Sequence, residues 1–440
     1  MQAWLDALKD TSTGRTSLGI LPPNRYVTIS STLTISSVAG LKIMGQGQGG
    51  FQFRWAGNST DPMFRLTNIQ NVELEGFTVL SSAAAKLAVA FDVLGGTGSP
   101  FPSYNTFRNI VVQGTAHGGL DRGIYIRPGT TSPGDVGNNH ISLEHFTVYN
   151  YDEAAVQIEG YNAHSIQLLY PHFEASAPAQ SFTGGKYGVY CDKGFFNVRG
   201  GFMGGNREAD FYVNTPNGTI RVADLNVEGS ARLLYAYGLT GAPQPTIIEG
   251  VRWAGDALHS DAKAIVHYNP GPLTLIGNSM GDGGGSVTPR VDVSAMGTYG
   301  FVSHGNCWGG QSGLTTSPYI LGTTAGTPLP VRISIEGDIF VYAPLSGTAQ
   351  YNPRALANNS ATPLVHTGHV FYAENTSATT VTNLTQGYVT QRVTIVALNG
   401  NTTIQNNGTT IKLKTAGNRT LATNDTVELL NSDGTLWVEV

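Results

Sequence analysis

The sequence predicts an all-β chain: a parallel β-helix of short strands wound into coils, with a helix at its start and a small β domain at its end. Three observations predict it. Two apolar positions flanking one residue, then a small or polar corner residue, recur eight times, closing at Gly76, Asn109, His145, Tyr170, Gly200, Asp224, Gly250 and Gly277. The intervals of 33, 36, 25, 30, 24, 26 and 27 residues have the length of a stacked repeat. They are too short for a strand-helix-strand unit plus a second strand, so three short strands per turn is the economical reading. Composition agrees: 56 glycines, many Thr, Asn and Ser, and only 12% charged residues describe turn-rich β structure.

The elements follow in order. Trp4, Leu5 and Leu8 form a helical stripe within residues 1–9, and a helix there would cover the open end of a stack. Residues 1–60 are thus the cap and entry strands, 61–315 the parallel β-helix and 316–361 a connecting β segment. Residues 362–440, rich in Asn and Thr, read as a separate C-terminal β domain. Its pairs Asn399-Gly400, Asn407-Gly408 and Asp433-Gly434 suit tight hairpins.

Bulk numbers narrow the function. A net charge of -5 gives no electrostatic reason to bind nucleic acid or anionic membranes. Cys191 and Cys307 allow at most one disulfide and read as small apolar core residues. The ten histidines show no paired spacing, so no metal and no cofactor is expected. The start has no basic region followed by an apolar run, so no signal peptide is expected, and no run is long enough for a membrane span.

The entry segments Gln2-Ala3-Trp4-Leu5-Asp6-Ala7-Leu8, Leu21-Pro22-Pro23-Asn24-Arg25-Tyr26 and Leu41-Lys42-Ile43-Met44-Gly45-Gln46-Gly47 resemble those of pectate-lyase-like right-handed parallel β-helix proteins, bacteriophage tailspikes in particular. Asn24 stands where that family usually has Gly. The resemblance covers roughly residues 1–310. It implies a homotrimeric virion spike of the phage tail, extracellular, that binds and often cleaves bacterial surface polysaccharide. Such spikes usually carry a particle-attachment domain at the N-terminus, so the resemblance also implies an attachment partner reached through a region not seen here.

Chemistry is expected on the last strand of each turn. Aligning the inward pairs Ile124/Ile126, Val156/Ile158, Val189/Cys191, Phe211/Val213 and Leu233/Tyr235 leaves two outward columns. One is Tyr125, Gln157, Tyr190, Tyr212. The other is Arg127, Glu159, Asp192, Asn214. Glu159 and Asp192 then become adjacent carboxylates beside tyrosines, the composition of a sugar site. Glycoside hydrolysis needs one protonated carboxyl as acid and a second as nucleophile or base, and close like charges favour keeping one of two carboxyls protonated.

Asp152 and Glu153 lie in a turn beside this face and Glu208 with Asp210 in another; each is a candidate for the second carboxylate, Asp152 and Glu153 being the preferred substitutes. A competing column, Glu75, Arg108, Glu144, Arg199 and Glu249, alternates in charge and reads as a structural ladder. Two rival functions use the same face. One is a polysaccharide lyase in which Arg127 neutralises a uronate, and the other is a spike that holds glycan without cutting it.

Overall fold

When every second residue of a short strand is apolar, one edge of each coil turns inward, and coils stack to bury it. The computed structural model describes residues 1–8, 17–96, 103–115, 118–129, 138–160, 163, 165–175, 185–238, 243–255, 263–281, 290–294, 296, 299–309, 319–320, 333–340, 354–365, 370–387 and 389–440. Two compact units result, Met1–Leu345 and Ser346–Val440.

The first unit is a parallel β-helix with three strands in each full coil. A first column holds the strand before each corner, as in Asn139–Glu144, Ile166–Leu169 and Phe196–Arg199. A second follows the corner, as in Thr147–Tyr149 and His172–Glu174. A third includes Leu87–Leu94, Leu120–Arg127, Ala154–Glu159, Tyr187–Asp192, Ala209–Asn214 and Leu234–Ala236. Among the described residues the second column is a 12-stranded parallel sheet, while the first and third join in a 23-stranded one. Stacking continues to Ile333–Glu336 and Ile339–Phe340, which pair in parallel with Phe301–His304 and Cys307–Trp308. Residues 321–332 of the expected connecting segment lie outside the described residues.

The corners have one physical cause. All eight of the recurring corner residues have positive φ, from 47° at His145 to 73° at Gly76, and Gly305 and Gly337 continue the series. A left-handed residue turns the chain sharply between two strands, which explains the small or polar side chains at most of these positions. Tyr170 is the bulky exception. Its ring stacks on His145 at 5.2 Å and lies where a side chain on Gly200 would be, 2.6 Å from the position of a Cβ.

The core is a continuous column of apolar side chains. Phe53, Phe64, Phe77, Phe91, Phe107 and Phe146 hand contacts from coil to coil. The helix Gln2–Leu8 buries Leu5 in this core, and the Gln2 amide donates to the Thr34 carbonyl at 3.0 Å while its oxygen accepts the Thr34 N–H at 2.8 Å. Gly19 leaves room for Trp4 and Leu8, whose side chains would overlap a Cβ there.

Several expectations change. Tyr235 is not an inward residue, because Leu234 pairs with Phe211 and Tyr235 with Tyr212. The inward pair is therefore Leu234 and Ala236, one residue on. Asp210 sits within the strand Ala209–Asn214 and is fully buried rather than in a turn. Cys191 is buried as expected, whereas Cys307 is only half-buried.

The second unit has a six-stranded sheet and a three-stranded sheet that share one core, including Phe371, Ile395, Val427 and Trp437 from one and Val381, Ile404 and Leu421 from the other. Of the three expected hairpins, Asp433-Gly434 does join antiparallel partners, Thr426–Asn431 and Trp437–Glu439. Asn399-Gly400 instead carries the chain between sheets, from Arg392–Ala397 to Thr402–Ile404, and Asn407-Gly408 precedes Ile411–Lys412, which pairs with Trp437–Glu439.

Candidate functional site

Parallel register brings outward residues of the third column into line. Arg65, Asp92, Tyr125, Gln157, Tyr190, Tyr212 and Tyr235 are successive cross-strand partners. Two residues further along, Leu94 partners Arg127, and Glu159, Asp192 and Asn214 partner one another in turn. The two carboxylates therefore stand on neighbouring coils, about 4.8 Å apart at the backbone.

Neutral donors hold both carboxylates. The Tyr125 hydroxyl donates to Glu159 Oε2, and the Gln157 amide donates to Oε1 at 2.5 Å. Asp192 Oδ1 accepts the Asn214 amide at 3.1 Å and the Thr215 hydroxyl at 3.2 Å. Burial, and then the Glu159 hydrogen bond, push the Tyr125 hydroxyl well above its ordinary range, so it is a donor at neutral pH. Arg127 reaches Asp92 through Nε at 2.9 Å and Nη2 at 3.0 Å, and its guanidinium sits 4.9 Å from the Tyr125 ring centre.

The tyrosines form a track along the coils. Tyr190 and Tyr212 stack at 4.9 Å with their planes only 5° apart, so each covers a face of the other. What that pair offers a ligand is ring edges and hydroxyls. Tyr187 and Tyr235 lie tilted to Tyr212 by 47° and 54°, and Tyr237 and Tyr268 extend the track. Burial raises the hydroxyls of Tyr187 and Tyr190 to about 12.

Not every candidate joins this group. Asp152 and Glu153 precede the same strand, seven and six residues before Glu159, which is about 20 Å or more of extended chain. Asp152 accepts the Gly118 N–H at 3.1 Å and lies 3.8 Å from Lys86, while Glu153 pairs with Lys186 at 2.8 Å. Within the alternating column only Arg108 and Glu144 pair directly, at 2.6 Å; the other ion pairs use residues outside the expected set, Lys42 with Glu75 and Arg221 with Glu249 at 2.5 Å, and Ala223 separates Arg199 from Glu249 in the column. Leu169 interrupts it between Glu144 and Arg199.

Sequence reading missed Arg65, Asp92, Arg122, Tyr187, Tyr235, Tyr237 and Tyr268. A signal for Asp92 was present. Phe91 and Val93 are the inward pair one coil before Ile124 and Ile126, so extending the alignment backward places Asp92 beside Tyr125.

Residues 354–438 match the family described as Phage depolymerase C-terminal beta sandwich domain. The two-sheet unit and the parallel stack preceding it agree with the resemblance to phage tailspikes. No curated protein matches the sequence. Among solved structures, the A-module of a mannuronan C-5 epimerase from Azotobacter vinelandii is similar at 13% identity and a TM-score of 0.42, covering 78% of this chain and 94% of that one. A protein of Geobacillus virus E2 gives 12% and 0.40, covering 100% of this chain and 71% of that one. Tailspike protein 2 from an Escherichia coli O157:H7 bacteriophage gives 11% and 0.31, covering 81% and 45%. The C-terminal match supports the coarse reading of a polysaccharide-degrading phage protein.

Proposed function

We propose that this chain is a tailspike-type depolymerase of the phage tail that binds bacterial surface polysaccharide along the third strand column and hydrolyses it with Glu159 and Asp192. The observation that carries this reading is the partnership of those two residues on adjacent coils, inside a track of tyrosines. One carboxyl protonates the glycosidic oxygen while the other attacks the sugar or activates a water, the separation at the bound substrate choosing between the two. Tyr125 and Gln157 fix the Glu159 carboxylate, and Asn214 and Thr215 fix that of Asp192. Rotamers held this way lower the cost of reaching the reactive geometry.

Removing either carboxylate tests the assignment directly. Glu159→Gln and Asp192→Asn should each slow polysaccharide shortening about 100-fold or more, measured by size-exclusion chromatography of polymers from a bacterial panel. If both variants cut at the parental rate, the pair is not catalytic.

Arg127 favours a second chemistry on the same face. A guanidinium fixed by Asp92 beside Tyr125 suits neutralisation of a uronate, the requirement for β-elimination. Ultraviolet absorbance from an unsaturated product identifies the lyase, and its absence from shortened polymer identifies the hydrolase.

A further inference from the structure

Two guanidinium groups gather about one tyrosine, and a third joins them through a shared carboxylate. Asp92, 2% exposed, accepts Arg127 Nε at 2.9 Å and Arg65 Nε at 3.2 Å, so two arginines share a single carboxylate. Arg122 and Arg127 place their guanidinium carbons 5.7 and 4.9 Å from the Tyr125 ring centre. Arg122 donates to Gln157, a neutral partner, and makes no ion pair among the described residues.

Other basic side chains of this unit are mixed: Arg54 likewise donates to a neutral glutamine, Gln52, and sits 4.0 Å from the Tyr26 ring centre. Arg108, Arg221 and Lys186 each meet at least one carboxylate of their own. Among the described residues, Arg65, Arg122 and Arg127 gather near two carboxylates, Asp92 and Glu159, an excess of one positive charge. The side chains of Arg65 and Arg127 are 43% and 36% exposed, so the outer N–H groups of this cluster are accessible to a ligand. Guanidinium forks of this kind recognise carboxylate and phosphate oxygens.

We infer that the polysaccharide taken by this site is anionic, with a carboxylate- or phosphate-bearing sugar seated over the coil of Tyr125. This rests on the depolymerase reading and adds the substrate's charge. The tyrosines from Tyr190 to Tyr268 receive the following sugars, and the arginines select the charged one. An anion here also gives the surplus guanidinium charge its counterion.

The test uses capsular and O-antigen polysaccharides from a bacterial panel, each in three forms: native, carboxyl-reduced, and stripped of phosphate esters with cold hydrogen fluoride. Binding to the full chain is measured by surface plasmon resonance, and shortening by chromatography. The expected result is a native polymer whose affinity falls about tenfold or more in one neutralised form, the responsive arm identifying carboxylate or phosphate. Arg122→Gln should weaken native polymer about tenfold without weakening the neutralised one, and Arg122→Lys should restore part of the loss. Unchanged thermal melting shows that the variants are folded.

Equal binding of native and neutralised forms in both arms overturns the inference, as does an Arg122→Gln variant that weakens both alike. Shortening of neutral and native polymers alike, with no preference in binding, keeps the depolymerase and removes the anionic site. Preference for native polymer with no shortening of any polymer does the reverse.

Discussion

Asp210 and His267 lie fully buried in the β-helix, and their effects on stability oppose each other. Asp210 accepts Asn206 at 2.8 Å and Ser230 at 2.7 Å, yet burial lifts its carboxyl from 3.8 to about 7. Its contribution to stability is full below pH 3.8 and is lost as pH rises towards 7, on the order of 4 kcal/mol. His267 contacts the Thr246 hydroxyl at 3.1 Å, and burial lowers it from 6.5 to about 4. Its contribution is full above pH 6.5 and is lost as pH falls towards 4, roughly 3 kcal/mol. Between those limits the native chain holds the Asp210 proton while the unfolded chain holds the His267 proton, so the two slopes cancel. Asp210→Asn should therefore lose stability on acidification relative to the parent, and His267→Gln on alkalinisation. Urea midpoints measured from pH 4 to 7 check this, and variant profiles parallel to the parent's would refute it. Neither residue was legible as buried: Asp210 follows Arg207-Glu208-Ala209, a polar run that reads as a turn. The slip at Tyr235 has a similar origin. Ala231-Arg232-Leu233-Leu234-Tyr235-Ala236 offers two apolar registers, and Phe211 pairs with the second leucine.

Corner and strand differ in how clearly the sequence announced them. The corner recurred because left-handed backbone restricts its occupant, and that restriction is local enough to read. Its energetic weight is testable by comparing two glycines. At Gly277, with φ of 59°, a Cβ would meet nothing within 4 Å, so Gly277→Ala should cost only backbone strain, about 1 kcal/mol. At Gly200 the Cβ would also fall 2.6 Å from the Tyr170 ring, so Gly200→Ala should cost clearly more. A Tyr170→Ala background should remove the excess, and denaturation midpoints of the four variants decide it. Two of the three expected hairpins of the C-terminal unit, at Asn399-Gly400 and Asn407-Gly408, were misread because Asn-Gly specifies a tight turn without naming the strand that follows. At Asn399-Gly400 that strand, Thr402–Ile404, belongs to the other sheet and pairs in parallel with Thr379–Val381.

At the scale of the molecule, the two units separate near residue 345. The tailspike resemblance implies three chains, and we propose the Ser346–Val440 unit as the clasp that would hold them. A chain ending at residue 345 should keep its β circular dichroism, since its core is its own, and should sediment as a monomer where the full chain is a trimer. A truncated chain that still sediments as a trimer would remove that role from the C-terminal unit. The columns of the site were legible because a solenoid converts sequence spacing into adjacency at one register. Their charge balance was not, since Arg65 and Arg127 meet over Asp92 across separations of 27 and 35 residues.

The tyrosine track that follows the carboxylates gains one rung with each coil, and a corner residue starts each coil afresh. A repeat such as the one from Asp224 to Gly250, which carries Tyr235 and Tyr237, is thus a removable graduation. On the proposed function, inserting or deleting a whole coil should lengthen or shorten the glycan footprint by about 4.8 Å without moving Glu159 against Asp192. On that reading the molecule is a gauge whose cutting edge stays fixed while its scale is free to change.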